Sequence, residues 1–260
     1  MKLTIFQADA FSSRLFGGNP AAVIPLKTWL PDELMQQIAL ENNLSETAFF
    51  VREDEHFHIR WFTPATEVNL CGHATLATAH IIFSELGYEQ DEIRFMSKSG
   101  ELLVKKEKDM LALDFPAQPP QRFDAPQGLI MAMQRKPLEV YKAAEDYLLV
   151  YGSENDILAL KPDFNALADV KCRGVICTAK GEKSDFVSRF FAPAAGINED
   201  PVTGSAHTRL IPYWADRLKK KKLHAFQLSV RKGELFCELQ GDRVRIAGHA
   251  VTYMKGEIYL

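Results

Sequence analysis

Arg60-Trp61-Phe62-Thr63-Pro64-Ala65 returns 129 residues later as Arg189-Phe190-Phe191-Ala192-Pro193-Ala194 (60 against 189). Beyond each copy, Gly72-His73-Ala74-Thr75 matches Gly204-Ser205-Ala206-His207, now 132 apart (72 against 204), so the second copy holds three extra residues. A repeat at about half the chain length marks a duplicated unit. In each copy an alternating segment (56–62 and 186–191) predicts a strand, and a Pro-Ala turn and a polar loop follow it. A glycine then opens a helix. The first helix, expected over 72–86, carries Leu76, Ala77, Ala79, Ile81, Ile82, Phe83 and Leu86 around most of its circumference, so other elements must wrap it. Gly87 supplies a stop. The second, over 204–218, holds Leu210, Ile211, Tyr213, Trp214 and Leu218, with Pro212 expected to kink or break it.

Most of the remainder reads as short strands, at 2–8, 21–24, 47–51, 100–106, 110–115, 175–178, 235–239 and 244–246. A peripheral helix is expected after Pro31, with Leu34, Met35, Ile38 and Ala39 turned inward. Many strands and one buried helix per half predict an α+β fold of two pseudo-symmetric lobes. Each lobe is a curled sheet around a central helix, and the two face each other across a cleft. The halves are expected at 1–118 and 119–260, with the C-terminal segment able to pack back on the first.

Bulk properties narrow the function. The chain has 260 residues, 47% hydrophobic and 25% charged, an ordinary globular balance. A net charge of −3 excludes electrostatic attraction to nucleic acid or to an anionic membrane. The basic run 219–222 reads as a solvated helix end. The apolar start at 3–6 meets Gln7 and Asp9 too early for a signal peptide, and the uncharged stretch 68–84 is too polar for a membrane span. Cys71, Cys172, Cys177 and Cys237 form no Cys-x-x-Cys pair, as expected of reduced thiols in a cytoplasmic protein.

The two glycine-opened helices offer N–H-rich ends suited to a carboxylate. Beside them stand Asn69, His73 and Thr75 in one half and Asp200, Thr203, Ser205 and His207 in the other. Thr203 and Ser205 read equally as helix caps or as functional groups. Glu46, where a polar turn enters an apolar strand, reads either as a solvated strand end or as a carboxyl whose pKa an apolar surface would raise. His73, His207, Cys71 and Asp200 fit no zinc spacing, and helix N-termini repel cations. Phe16-Gly17-Gly18-Asn19-Pro20 lacks the dinucleotide fingerprint, is expected to have no βαβ unit around it, and reads as a loop between strands. No P-loop or nucleophile elbow is present. Cys71 precedes Gly72 at a helix start that would favour a thiolate, but the matching residue in the other half is Thr203, so a symmetric two-thiol mechanism is missing.

Asn19-Pro20-Ala21, Ser45-Glu46-Thr47-Ala48, Phe62-Thr63-Pro64, Cys71-Gly72-His73-Ala74-Thr75 and Glu199-Asp200-Pro201-Val202-Thr203-Gly204-Ser205-Ala206 together resemble the phenazine biosynthesis PhzF-like isomerase family, in the family's order. The resemblance implies the diaminopimelate-epimerase-like fold, a homodimer, and isomerisation by proton migration with no metal or cofactor. It implies Glu46 as acid/base, with His73, Asp200 and Ser205, beside Gly72 and Gly204, holding a small, cyclic, carboxylate-bearing substrate. Two alternatives stand beside it: an epimerase or racemase using Cys71, and a metabolite-binding protein without catalysis.

Overall fold

The structure, a computed structural model, describes residues 1–260. In chain order the first half holds β1 (Lys2–Ala10), β2 (Asn19–Leu26), α1 (Asp32–Asn42), β3 (Glu46–Glu53), β4 (His56–Phe62), β5 (Glu67–Val68), α2 (Gly72–Ser84), β6 (Glu92–Ser97), β7 (Gly100–Glu107) and β8 (Met110–Pro116). Next come β9 (Gln121–Arg122), α3 (Gln127–Met133), β10 (Glu139–Ala143), β11 (Asp146–Val150), α4 (Glu154–Leu158), α5 (Phe164–Ala168), β12 (Gly174–Lys180) and β13 (Phe186–Ala192). The chain closes with β14 (Ile197–Asp200), α6 (Gly204–Leu218), β15 (Lys222–Gln227), β16 (Gly233–Gln240), β17 (Arg243–Gly248) and β18 (Ala250–Tyr259). It divides into two compact units, Met1–Asp114 with Ala247–Leu260, and Phe115–Ile246.

The pairing in the first unit runs β1–β2 antiparallel, β2–β3 parallel, β3–β4 and β4–β5 antiparallel, β4–β6 parallel and β6–β7 antiparallel. The second unit repeats it: β10–β11 antiparallel, β11–β12 parallel, β12–β13 and β13–β14 antiparallel, β13–β15 parallel and β15–β16 antiparallel. The duplication reaches single side chains. Arg60 on β4 donates from Nε and Nη2 to Glu67 at 2.8 and 2.9 Å. Arg189 on β13 does the same to Glu199 at 2.6 and 2.8 Å. Both are planar fork-to-carboxylate pairs. Glu67 lies seven residues after its arginine and Glu199 ten, which is the three-residue insertion seen in the sequence.

In the first unit α2 packs against β1, β2, β3 and β18. Leu76, Ala77, Ala79 and Ile81 are fully buried, and burying each larger side chain contributes roughly 1.5–3 kcal/mol. The C-terminal strand β18 belongs here, antiparallel to β1 from Lys2↔Tyr259 to Ala10↔Ala250. Residues 247–260 thus lie in the first unit, the packing-back that the sequence reading allowed for the C-terminal segment. β2, α1 and β3 form a parallel strand–helix–strand crossover, which corrects the expectation that no such unit adjoins the Gly17-Gly18 loop. Met35, Ile38 and Ala39 of α1 bury against Ile24, Phe49 and Phe62.

The break expected at Pro212 does not occur; α6 is continuous from Gly204 to Leu218. Proline cannot donate to the carbonyl four residues back. That carbonyl, of Thr208, accepts the Gln118 N–H at 3.0 Å instead, so the missing bond is replaced from another segment. Trp214 on the same helix donates from Nε1 to Thr178 Oγ1 of β12 at 2.9 Å.

Candidate active site

In the first unit the parallel strands β2 and β3 begin at the same end, and α2 begins beside them. Asn19 opens β2, Glu46 opens β3, and Gly72 and His73 open α2. Gly18 holds Asn19 in place. Its φ is +62°, and a Cβ there would lie 2.0 Å from the Ala10 carbonyl oxygen, so only glycine lets the loop return this close to β1.

His73 is nine-tenths buried and its ring is contacted through both nitrogens. Nε2 lies 3.0 Å from Glu46 Oε2. Nδ1 lies 3.1 Å from Asn19 Nδ2 and 3.5 Å from Cys71 Sγ. The Asn19 side-chain amide faces Nδ1 and the Glu46 carboxyl group faces Nε2. Burial works against a charged His73, yet its pKa stands well above the ordinary imidazole value because Cys71 and Glu46 favour the imidazolium. Burial likewise pushes the Cys71 thiol up to about 11. Glu46 keeps 13% of its side chain exposed, enough for a ligand to reach it.

Glu46, Cys71 and His73 bring three metal-ligating groups within 4.8 Å of one another. Glu46 meets Nε2 while Cys71 meets Nδ1, so the ring presents a different nitrogen to each. That arrangement suits a proton relay better than one shared ion.

In the second unit Gly204 and Ser205 open α6, with Thr203 at its N-cap position. Neither Thr203 nor Ser205 caps the helix through its side chain. The Thr203 hydroxyl donates to Asp200 Oδ2 at 2.5 Å, and Gln227 braces the pair by accepting from Thr203 N–H and donating to the Asp200 carbonyl. Ser205 Oγ accepts from Arg173 Nη2 at 3.1 Å. Arg173 and Arg209 both meet the fully buried Asp146 carboxylate, and Arg209 also donates to the Ser205 carbonyl at 2.6 Å. Arg173 and Arg209 with Asp146, and Asp200 on Thr203, thus set two guanidinium groups and two carboxylates around the start of α6.

Asn69 and His207, also singled out in the sequence, make other contacts. The Asn69 carbonyl accepts the Ser99 hydroxyl, and His207 is fully buried, with Nδ1 on the Thr203 carbonyl at 2.8 Å and its ring against Phe186. Asn19, Asp146, Arg173 and Arg209 escaped notice as site residues. Of these only Asn19 lies in a motif that carries the resemblance, Asn19-Pro20-Ala21.

His207 gives a stability prediction. Burial lowers its pKa to about 4, so the folded state holds it neutral while the unfolded chain protonates near pH 6.5. A depressed folded pKa leaves its contribution intact above pH 6.5 and removes it as pH falls toward 4. Between pH 7 and pH 5 wild type should lose about 2 kcal/mol from this group. Urea midpoints of His207→Gln should show that much less acid sensitivity; parallel losses in both proteins would refute the assignment.

No helix of the chain is long and apolar enough to cross a membrane. The model of the phenazine biosynthesis-like protein family matches residues 8–256. An isomerase of Pseudomonas aeruginosa is 55% identical over all of both chains. The crystal structure of a phenazine biosynthesis protein of the PhzF family from Enterococcus faecalis superposes with a TM-score of 0.97 at 46% identity, covering both chains completely. At the level of fold alone, a hydroxyproline epimerase from Agrobacterium vitis matches with a TM-score of 0.63 at 10% identity, covering 99% of this chain and 92% of its own. With the duplicated α+β architecture of epimerases and a family match across nearly its whole length, this chain belongs to the phenazine biosynthesis-like, PhzF-type family of isomerases.

Proposed function

We propose that the protein isomerises a small, cyclic, carboxylate-bearing metabolite by moving one proton between carbons, with Glu46 as the single acid/base. The observation that carries this reading is the Glu46–His73 contact at 3.0 Å, with Asn19 behind the ring. The Glu46 carboxylate removes a proton from substrate carbon. The imidazolium beside it keeps the carboxyl group oriented while it holds that proton, and the same carboxyl delivers it to a second carbon. Both groups belong to the chain, so the reading requires no metal or cofactor.

Negative charge developing next to a substrate carboxylate needs positive potential around it. In this reading Gly72 supplies helix-start N–H groups and His73 a polar contact in the first unit, and in the second unit Gly204, the Ser205 hydroxyl and Asp200 offer groups that suit a substrate carboxylate and its ring substituents. A thiol base at Cys71 is the weaker alternative, because its raised pKa leaves little thiolate near neutral pH.

Solvent deuterium incorporation into a panel of cyclic amino and hydroxy acids tests the proposal. Label should enter at carbon with wild type, and Cys71→Ser should retain the rate within about tenfold. Loss of label in that variant would move the chemistry to the thiol. Absence of label in every acid that measurably binds would make the protein a binding module.

A further inference from the structure

The hairpin joining β3 to β4 brings together three ligand atoms that have no part in the site above. Glu53 ends β3 and faces His56, the first residue of β4, across the antiparallel ladder. His58, two residues on, projects from the same side of the strand. His56 Nε2 and His58 Nε2 are 3.2 Å apart. Glu53 Oε2 is 3.2 Å from His58 Nε2 and 3.9 Å from His56 Nε2.

A four-coordinate zinc ion holds imidazole nitrogen and carboxylate oxygen at roughly 2.0–2.2 Å, and a tetrahedron of that size has edges of roughly 3.3–3.6 Å. The three observed spacings bracket that edge, so an ion could enter with small side-chain adjustments. The ladder fixes the donors beforehand, running in register from Thr47↔Phe62 to Glu53↔His56, and Asp54 turns the hairpin in the left-handed region at φ 48°. The imidazoles keep 38% and the glutamate 50% of their side chains exposed, which leaves room for water in the remaining coordination position. Other surface histidines lack this convergence: His224 faces Glu234, and His249 faces Asp109, with one imidazole in each pair.

We propose that Glu53, His56 and His58 form a surface site for one divalent transition ion of the zinc class, bound by two imidazoles, one carboxylate and water. It is separate from the Glu46 site. Glu46 and Glu53 are the first and last residues of β3, about 23 Å apart at strand rise.

The test is calorimetric titration of zinc ion alone into chelator-treated, tag-free protein. Wild type should take up one ion per chain, and His56→Ala and His58→Ala should each weaken binding about tenfold or more, as losing a first ligand costs at least what losing its outer support does. His73→Ala should bind like wild type, which separates this cluster from Glu46, Cys71 and His73. Imidazole nitrogen NMR of the zinc-loaded protein should shift His56 and His58 Nε2 together. No uptake by wild type, or wild-type affinity in both hairpin variants, would overturn the site and leave a hydrogen-bonded surface cluster.

Discussion

Glu46→Gln will abolish solvent deuterium exchange, lowering the rate by about a hundredfold to ten-thousandfold, the usual worth of a positioned acid/base. Glutamine keeps the shape and a carbonyl oxygen facing His73, so packing at the start of β3 survives. In the proposed mechanism it removes the group that accepts the proton from carbon, while burial keeps the neighbouring Cys71 thiol well above its ordinary pKa. A second readout does not depend on turnover. The raised pKa of His73 draws on Cys71 and on the Glu46 carboxyl group 3.0 Å away, so in the variant it should fall toward the ordinary imidazole value. The linkage follows the same direction. A raised folded pKa stabilises fully below the unfolded value near 6.5 and fades as pH rises through the folded value, so the variant's stability deficit should shrink toward alkaline pH. Glu46→Asp should recover part of the rate. Exchange above about a tenth of wild type in Glu46→Gln would end the acid/base role.

Much of this architecture was legible because the chain repeats itself. Arg60-Trp61-Phe62-Thr63-Pro64-Ala65 and its second copy located both central helices, and every expected strand falls inside an observed one. The motif residues Glu46, His73, Asp200 and Ser205 were legible through family resemblance; local sequence favoured a solvated glutamate. What escaped reading depends on long-range pairing. β2, α1 and β3 were each recognised, but parallel pairing of Ala21 with Glu46 is a tertiary fact that no local pattern carries. The return of the C-terminal segment to the first half was anticipated, but β18, with its exposed, irregular face, was not read as a strand. Pro212 carried a strong local breaking signal, overridden by one hydrogen bond from Gln118. Asp146, Arg173 and Arg209 are ordinary charged residues in sequence, and their meaning comes from meeting where water is excluded.

The repeat also shows how duplication yields unequal halves. Position two of the central helix is His73 in one copy and Ser205 in the other, and the residue before the glycine is Cys71 or Thr203. The scaffold pairs, Arg60–Glu67 and Arg189–Glu199, stayed the same. One helix start thus gained an ionisable ring next to a carboxylate, while the other gained a hydroxyl backed by guanidinium groups.

Asp146→Asn should be the most destabilising conservative change in the second unit. The Asp146 side chain has no solvent exposure and receives Arg173 Nε at 2.8 Å together with Arg173 Nη2, while Arg209 Nε lies 3.2 Å away. Removing its charge leaves two guanidinium groups facing each other, and Arg209, only 6% exposed, cannot turn to water. Breaking a buried ion pair on one side costs about 3–5 kcal/mol, which for a protein of this size lowers the melting temperature by roughly 10 °C. Burial already depresses the Arg209 pKa against the support of Asp146, so the cation is held there at a cost that the carboxylate offsets. The double variant Asp146→Leu, Arg209→Met should therefore recover most of the loss, since an apolar pair has no charge to desolvate. Arg173 keeps 37% of its side chain exposed and can hydrate on its own. A loss below about 1 kcal/mol in Asp146→Asn, or a double variant as unstable as the sum of its single changes, would show that the cluster contributes packing alone.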